Sequence, residues 1–202
     1  MTPQSIFLAV EDELSATLGE LLLESVGGFR IINRMVTGGN TELKKKCKSF
    51  LDMAHNGLPV LIVTDLDKID CPMALIESWF PHGLVRNLLF RVAIKEAESW
   101  LLADRDALSR EFSVSKSRFP LLPDHEPDPK NLVIQLAKRS KKRDVQSIVP
   151  EQGSTATVGP EYNNFLCNFL RSKWNLHDAT QNSQSLHRTV QRLQHYSAGR
   201  RT

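Results

Sequence analysis

The chain has 202 residues, of which 41% are hydrophobic and 24% charged, and its formal net charge is +3. This length allows one α/β domain with an addition, or two small domains, and the composition is ordinary for a globular protein. No apolar run reaches the roughly 20 residues of a membrane helix, so no membrane association is expected. The N-terminal segment has no basic residue before its short apolar run, so no secretory signal is predicted.

Four short apolar runs predict β-strands, and the amphipathic segments between them predict helices. The predicted strands cover residues 6–10, 29–36, 60–64 and 88–93, and the predicted helices cover residues 14–26, 41–56, 72–80 and 94–104. Strands and helices that alternate in this way predict an α/β fold. We expect a mainly parallel four-stranded sheet with helices on both faces.

The sequence pattern changes near residue 111, where alternation of strands and helices stops. A proline-rich loop is predicted over residues 113–130 and a second loop over residues 150–160, with helices over residues 131–138, 161–174 and 183–196. We therefore expect an α/β core over residues 1–110. Residues 111–202 are expected to form a mainly helical C-terminal extension packed on that core.

The three cysteines, Cys47, Cys71 and Cys167, lie far apart and without the spacing of metal ligands. An odd number of widely spaced cysteines predicts free thiols and a cytoplasmic location. The small positive net charge is compatible with a polyanionic partner but does not identify one.

Acidic residues follow two of the predicted strands. Glu11 comes directly after the first strand, and Asp65 and Asp67 follow the apolar third strand. Ligands of open α/β sheets bind at the carboxyl ends of the strands. Two carboxylates this close repel each other unless a cation lies between them, and Mg²⁺ or Mn²⁺ with oxygen ligands is the usual solution. The alternative is that Asp65 and Asp67 only form a turn after the strand.

A Glu after the first strand and an Asp-x-Asp after the third resemble the Toprim domain, which is shared by topoisomerases, bacterial primases and OLD-type nucleases. In that family these acids gather Mg²⁺ at the carboxyl edge of the sheet. The matching residues are Glu11 in AVEDE and Asp65 and Asp67 in VTDLD. The family usually has Gly after the Glu, whereas this chain has Asp12, which leaves Glu13 as an alternative ligand.

Residues 93–108, AIKEAESWLLADRDAL, resemble the E-x-W-L-L-A-D signature of RloB-like proteins from bacterial defence and restriction loci. The C-terminal segments GPEYNNFL and SQSLHR are similar to these proteins as well, so the resemblance covers most of the chain. It implies that Glu98 joins the metal ligands. Trp100 is expected in the core, Asp104 at a helix end, and Glu96 at a helix N-terminus.

Two lysines flank the predicted acid cluster, and a run of basic residues follows later. Lys95 is expected to stabilise charge on a scissile phosphate, and Lys68 to contact nucleic acid. The basic run is also expected to contact phosphates, and it comprises Lys138, Arg139, Lys141, Lys142 and Arg143. For all of these residues a solvated surface is the alternative.

The resemblance implies a Mg²⁺- or Mn²⁺-dependent nuclease, with Glu11, Asp65, Asp67 and Glu98 as metal ligands and catalytic residues and Lys95 as a further catalytic residue. Its substrate would be DNA or RNA, with DNA favoured. A separately encoded ATPase of the ABC or AAA type is the implied partner, since the chain has no G-x-x-x-x-G-K-[ST] motif. A homo-oligomer is left open.

Two other functions fit the same acids. One is a catalytically silent Toprim-like subunit that binds nucleic acid or a partner. The other is a haloacid-dehalogenase-type phosphatase, in which the first Asp of Asp-x-Asp is the nucleophile, although Ile69 replaces the usual Thr or Val. A topoisomerase is disfavoured because the two tyrosines, Tyr162 and Tyr196, are predicted outside the core.

Overall fold

A computed structural model describes residues 2–199 and contains a four-stranded sheet whose neighbouring strands all run parallel. The strands are β1 (Gln4–Val10), β2 (Phe29–Val36), β3 (Val60–Asp65) and β4 (Leu88–Ala93), in the spatial order β2-β1-β3-β4. The predicted α/β class and all four predicted strands are confirmed. Because β1 and β3 are the two central strands, the acids at their ends meet in the middle of the sheet.

Helices cover both faces of the sheet and continue to the end of the described chain. The first four are α1 (Glu13–Val26), α2 (Asn40–Lys45), α3 (Cys47–His55) and α4 (Pro72–Trp79). The later ones are α5 (Glu98–Ala103), α6 (Arg105–Phe112), α7 (Pro129–Ala137), α8 (Arg143–Gln146), α9 (Tyr162–Ser172), α10 (Leu176–Asn182) and α11 (Gln184–Ala198). None of the helices within residues 2–199 is both long and apolar enough to cross a membrane.

Alternate residues of the buried strands enter two separate hydrophobic cores, because successive side chains of a strand point to opposite faces. On β1, Ile6 and Leu8 belong to the first core, and Phe7 and Ala9 to the second. The second core is closed by α3 and α4. The first core is closed by α1 and by helices from both sides of residue 110, so the C-terminal helices pack directly on the sheet and on α1.

The prediction of a continuous helix over residues 94–104 is wrong at its start. Lys95 has a left-handed backbone, with φ of 66°, and α5 begins only at Glu98. The predicted helix over residues 41–56 is likewise divided into α2 and α3 at Lys46, whose N–H bonds to the carbonyl of Leu43. Three helices, α6, α8 and α10, were not predicted. The three thiols are free, as predicted, with Cys47 and Cys167 buried and Cys71 exposed.

Gly159 fastens the loop over residues 150–160 to the turn that follows α8. Its N–H donates to the carbonyl of Ile148, and its own carbonyl accepts the N–H of Tyr162, the first residue of α9. A Cβ atom at this position would lie 2.4 Å from the backbone oxygen of Ser147 and 2.6 Å from that of Val149. The close approach therefore requires glycine and sets where α9 begins.

We predict that Gly159→Ala lowers the free energy of unfolding by about 2 kcal/mol or more, because backbone atoms must separate to admit the methyl group. Urea denaturation of the variant and the wild type measures this change. Thr155→Ala, at an exposed position of the same loop, is the matched control and should change stability by less than about 0.5 kcal/mol. Equal stability of Gly159→Ala and the wild type would contradict the packing described for this loop.

Candidate active site

The carboxylate of Glu11 is bound to the end of the neighbouring central strand. Its Oε1 accepts the backbone N–H of Asp65 at 2.9 Å and the hydroxyl of Thr64. This contact follows from the register, in which Val10 of β1 pairs with Val63 of β3, so that the next residues of both strands are adjacent. Glu11 and Asp65 are 9% and 8% exposed, so the structure brings two predicted ligands together in a buried position.

Asp65 carries the least satisfied carboxylate of this cluster. Its Oδ1 is buried, and within residues 2–199 it has no hydrogen-bond partner. A buried polar oxygen without a partner costs about 1–3 kcal/mol, and more if it is charged. Burial first, and then the negative charges of Glu11 and Glu98, hold the pKa of Asp65 well above its usual range. Burial likewise raises the pKa of Glu11.

Glu98 is the third buried acid, with 1% exposure, at the first position of α5. Its Oε1 accepts the hydroxyl of Tyr162 at 2.7 Å and lies 3.6 Å from Nζ of Lys130. Burial raises the pKa of Glu98 to about 7, although both partners act to lower it. Glu98 and Asp65 interact electrostatically, so the resemblance and the fold place the same three acids in one cluster.

Lys130 is a cation of this cluster that the sequence analysis assigned to a loop. It lies in the first turn of α7, where its backbone N–H donates to Glu96 Oε2 at 2.8 Å. Its ammonium reaches both Glu98 and Glu96, the latter at 4.0 Å. Burial lowers the pKa of Lys130, but Glu98, Glu96 and Asp65 raise it more, to about 12. Lys130 therefore partly neutralises the acids.

Tyr162 is a second member of this cluster that was not identified from the sequence, and like Tyr196 it belongs to the C-terminal helices outside the predicted α/β core of residues 1–110. Tyr162 and Tyr196 are buried in the first core. Burial and the adjacent Glu98 raise the pKa of Tyr162 well above its usual range, so its phenol stays protonated and donates a hydrogen bond. The GPEYNNFL segment, which carries part of the resemblance, was the signal that could have identified it.

Asp67 and Lys95 lie at the rim of the cluster rather than inside it. Asp67 is exposed, with φ of 52°, and its Oδ2 is 3.3 Å from Nδ2 of Asn40. Its N–H donates to the carbonyl of Lys95, so the two left-handed residues are joined through their backbones. Asp67 is near enough to raise the pKa of Glu11. Lys68 is exposed beside it.

The basic run over residues 138–143 does not border the acid cluster. It begins at the other end of α7, about 12 Å along the helix from Lys130. The ammonium of Lys142 donates to the carbonyls of Arg110 and Glu111 at the end of α6, at 3.4 and 2.8 Å, which gives it a structural role. The other four basic residues are exposed.

The remaining acids near the motifs have structural partners. Asp12 caps α1 by accepting the N–H of Ser15, and Glu13 forms an ion pair with Arg34. Asp104 caps α6 and accepts the N–H of Asn175, and Trp100 is fully buried in the first core, as predicted. Because its carboxylate is paired with Arg34, Glu13 is a poor candidate for the alternative metal ligand.

The chemistry of the donor set fits a hard divalent cation, because buried carboxylate oxygens are what such cations bind. The unpartnered Oδ1 of Asp65 is the observation that supports this fit. As arranged, however, no group of three or more His, Cys, Asp or Glu residues within residues 2–199 has the geometry of a metal site. Glu11 and Asp65 are already together, whereas Glu98 is held by Lys130 and Tyr162.

No family model, curated protein or solved structure matches this chain. The relation to Toprim and RloB-like proteins therefore remains an inference from the quoted motifs. Three structural features are compatible with it: the four-stranded parallel sheet, the acids at the ends of β1 and β3, and the helical extension.

The buried Glu98 carboxyl predicts that stability falls as the pH rises. Because its pKa is about 7 in the folded chain against 4.5 as the ordinary value, the folded chain binds more protons than the unfolded chain between these pH values. Its stabilising contribution is complete below pH 4.5 and is lost as the pH rises to 7, a change of at most about 3 kcal/mol.

We therefore expect Glu98→Gln to remove part of the fall in the free energy of unfolding between pH 5 and pH 7.5, because the amide cannot ionise. Urea denaturation at several pH values, in the absence of divalent metal, measures the slope. Glu77→Gln, at an exposed position on α4, is the control and should keep the wild-type slope. A slope that Glu98→Gln leaves unchanged would show that Glu98 does not titrate in this range.

Proposed function

We propose that this chain is a Mg²⁺- or Mn²⁺-dependent nuclease of the Toprim type that hydrolyses phosphodiester bonds, with DNA favoured over RNA as the substrate. The observation that carries this proposal is the buried, unpartnered Oδ1 of Asp65 beside the carboxylate of Glu11. Two carboxylates kept out of water at the carboxyl edge of a parallel sheet lower the stability of the fold. Such a cost is typical of a functional site.

Glu11 and Asp65 would hold the cation, with Asp67 at the rim and Glu98 as a further ligand once it leaves Lys130. The bound ion supplies Lewis-acid activation of water and neutralises charge on the phosphate. The hydrogen bonds from Thr64 and the Asp65 N–H fix the direction of the Glu11 carboxylate. Lys130, whose ammonium lies 3.6 Å from Glu98, and Lys95, which follows β4, would stabilise negative charge on a substrate phosphate.

The wider assignment follows from the resemblance to RloB-like proteins of defence loci. We infer a role in anti-phage defence in which a separately encoded ABC- or AAA-type ATPase recognises the target and this chain cuts. The three free thiols support a cytoplasmic location for this work. Self-association is compatible with the same assignment.

A catalytically silent nucleic-acid-binding or partner-binding subunit is the second candidate, and Lys130 is the observation that favours it. Its ammonium already neutralises Glu98, as a buried cation would in a site that no longer takes up metal. The phosphatase alternative has less support, because the second Asp of its motif, Asp67, is exposed and lies outside the buried cluster.

The test is incubation of the purified protein with plasmid DNA, single-stranded DNA and RNA in Mg²⁺ or Mn²⁺, with a phosphomonoester assay in parallel. We expect cleavage of polynucleotide that falls by about 100-fold or more in Asp65→Asn and in Glu11→Gln, because each removes a ligand charge. Glu77→Gln, which changes an exposed acid on α4, should cleave at the wild-type rate.

The alternatives predict different results in the same assay. Hydrolysis of the phosphomonoester that is lost in Asp65→Asn but retained in Glu11→Gln would indicate the phosphatase. Polynucleotide cleavage that persists in both variants would contradict the assignment of the site. If the isolated chain binds nucleic acid without cutting it, the assay is repeated with the proposed ATPase partner, and absence of cutting there would indicate the silent subunit.

A further inference from the structure

A cavity lies along the open edge of the sheet, away from the buried acids. It has a volume of about 610 Å³ and extends between α4 on one face of the sheet and the start of α11 on the other. Cavities of roughly 300–1,000 Å³ hold small ligands. β4 is an edge strand of this sheet, so alternate backbone N–H and C=O groups along it have no strand partner on that side.

Guanidinium groups without a carboxylate partner gather at this edge. Arg91 of β4 and Arg188 of α11 line the cavity, and Arg192 lies one helical turn after Arg188. Within residues 2–199, none of the three forms an ion pair, and the hydrogen bond of Arg91 uses only its Nε, which donates to the carbonyl of Phe90. Burial and the charge of Arg192 lower the pKa of Arg91, in keeping with the absence of a carboxylate partner among the described residues.

Among residues 2–199, Asp124 is the one carboxylate that lines the cavity, and its oxygens already accept hydrogen bonds from the protein. Its oxygens accept the hydroxyl of Ser183 at 2.7 Å, and the N–H and hydroxyl of Ser185 at 2.8 and 3.1 Å. Asp124 therefore fixes the first turn of α11 and leaves the guanidinium groups of Arg91 and Arg188 available to an outside anion. Planar guanidinium groups bind phosphate with two parallel hydrogen bonds.

Apolar side chains form the rest of the cavity wall. Met73 of α4 is 61% exposed and Leu122 is 57% exposed, and both line the cavity. Ile76 and Val92 complete this wall. A ligand that fills the cavity therefore needs an anionic part for the arginines and a flat or apolar part for Met73 and Leu122.

We propose that this cavity binds a nucleoside phosphate, with the phosphate on Arg91 and Arg188 and the base between Met73 and Leu122. The source of that chemistry is either a free nucleotide or the phosphorylated end of a nucleic-acid strand. A second copy of the chain, added edge to edge at β4, is disfavoured because it would bring two sets of uncompensated arginines together. The inference does not depend on the proposed nuclease activity.

The test measures equilibrium binding by fluorescence anisotropy. EDTA is present so that no metal reaches the acid cluster. The probes are ADP labelled with a methylanthraniloyl group and a fluorescein-labelled 12-nucleotide single strand with a 5′-phosphate. We expect Arg188→Gln and Arg91→Gln to weaken binding about tenfold or more, because each removes a charged hydrogen bond. Met73→Ser should weaken binding several-fold.

Arg30→Gln is the matched control, since Arg30 is exposed on β2 at the opposite edge of the sheet. It should bind both probes as the wild type does. Because Arg188 is exposed, its variant reports on binding even if Arg91→Gln folds poorly.

Two arms separate the sources of the ligand. Arginine-dependent binding of labelled ADP, displaced by unlabelled ADP but not by equimolar inorganic phosphate, assigns a free nucleotide. Arginine-dependent binding of the strand alone assigns a strand end. The proposal is overturned if neither probe binds, if Arg188→Gln binds both probes as tightly as the wild type, or if inorganic phosphate competes as well as ADP.

Discussion

The hydrogen bonds between Glu11 and the end of β3 are the contacts on which the rest of the site depends. Parallel pairing of β1 and β3 places an acid beside the Asp65 N–H and the Thr64 hydroxyl, and both groups fix the carboxylate without neutralising it. A second carboxylate, that of Asp65, is buried beside it, and its Oδ1 has no hydrogen-bond partner within residues 2–199. The sheet therefore brings acidic groups together where burial makes their negative charge destabilising, and a cation would compensate that charge.

The C-terminal helices supply part of that compensating charge and hydrogen bonding. α7 brings the ammonium of Lys130 to Glu98, and α9 brings the hydroxyl of Tyr162 to the same oxygen. Both helices also contribute to the first hydrophobic core, so the packing that stabilises the fold also closes the site from solvent. Substrate or metal that draws Glu98 away from Lys130 would leave this lysine free to meet a phosphate. The extension is therefore a part of the site and not only its support.

Strands and their terminal acids could be predicted from the sequence because their signals are local. An apolar run predicts a buried strand, and a parallel sheet places the carboxyl ends of its strands, and therefore Glu11 and Asp65, at one edge. Lys130 and Tyr162 could not be found in this way, because they reach Glu98 through packing of segments that are distant in sequence. The predicted helix over residues 94–104 failed since nothing in the local pattern showed that Lys95 adopts a left-handed backbone. The cavity beside β4 likewise depends on how α4 and α11 pack, which no local pattern reports.

The central claim is that the carboxylates at the ends of β1 and β3 bind a divalent cation. Isothermal titration of the metal-free protein with Mn²⁺ tests it without relying on catalysis or on a partner. Saturable binding is expected in the wild type and in Glu77→Gln, with loss of that binding in Asp65→Asn. Absence of binding in the wild type, or binding that Asp65→Asn retains at the same affinity, would contradict it.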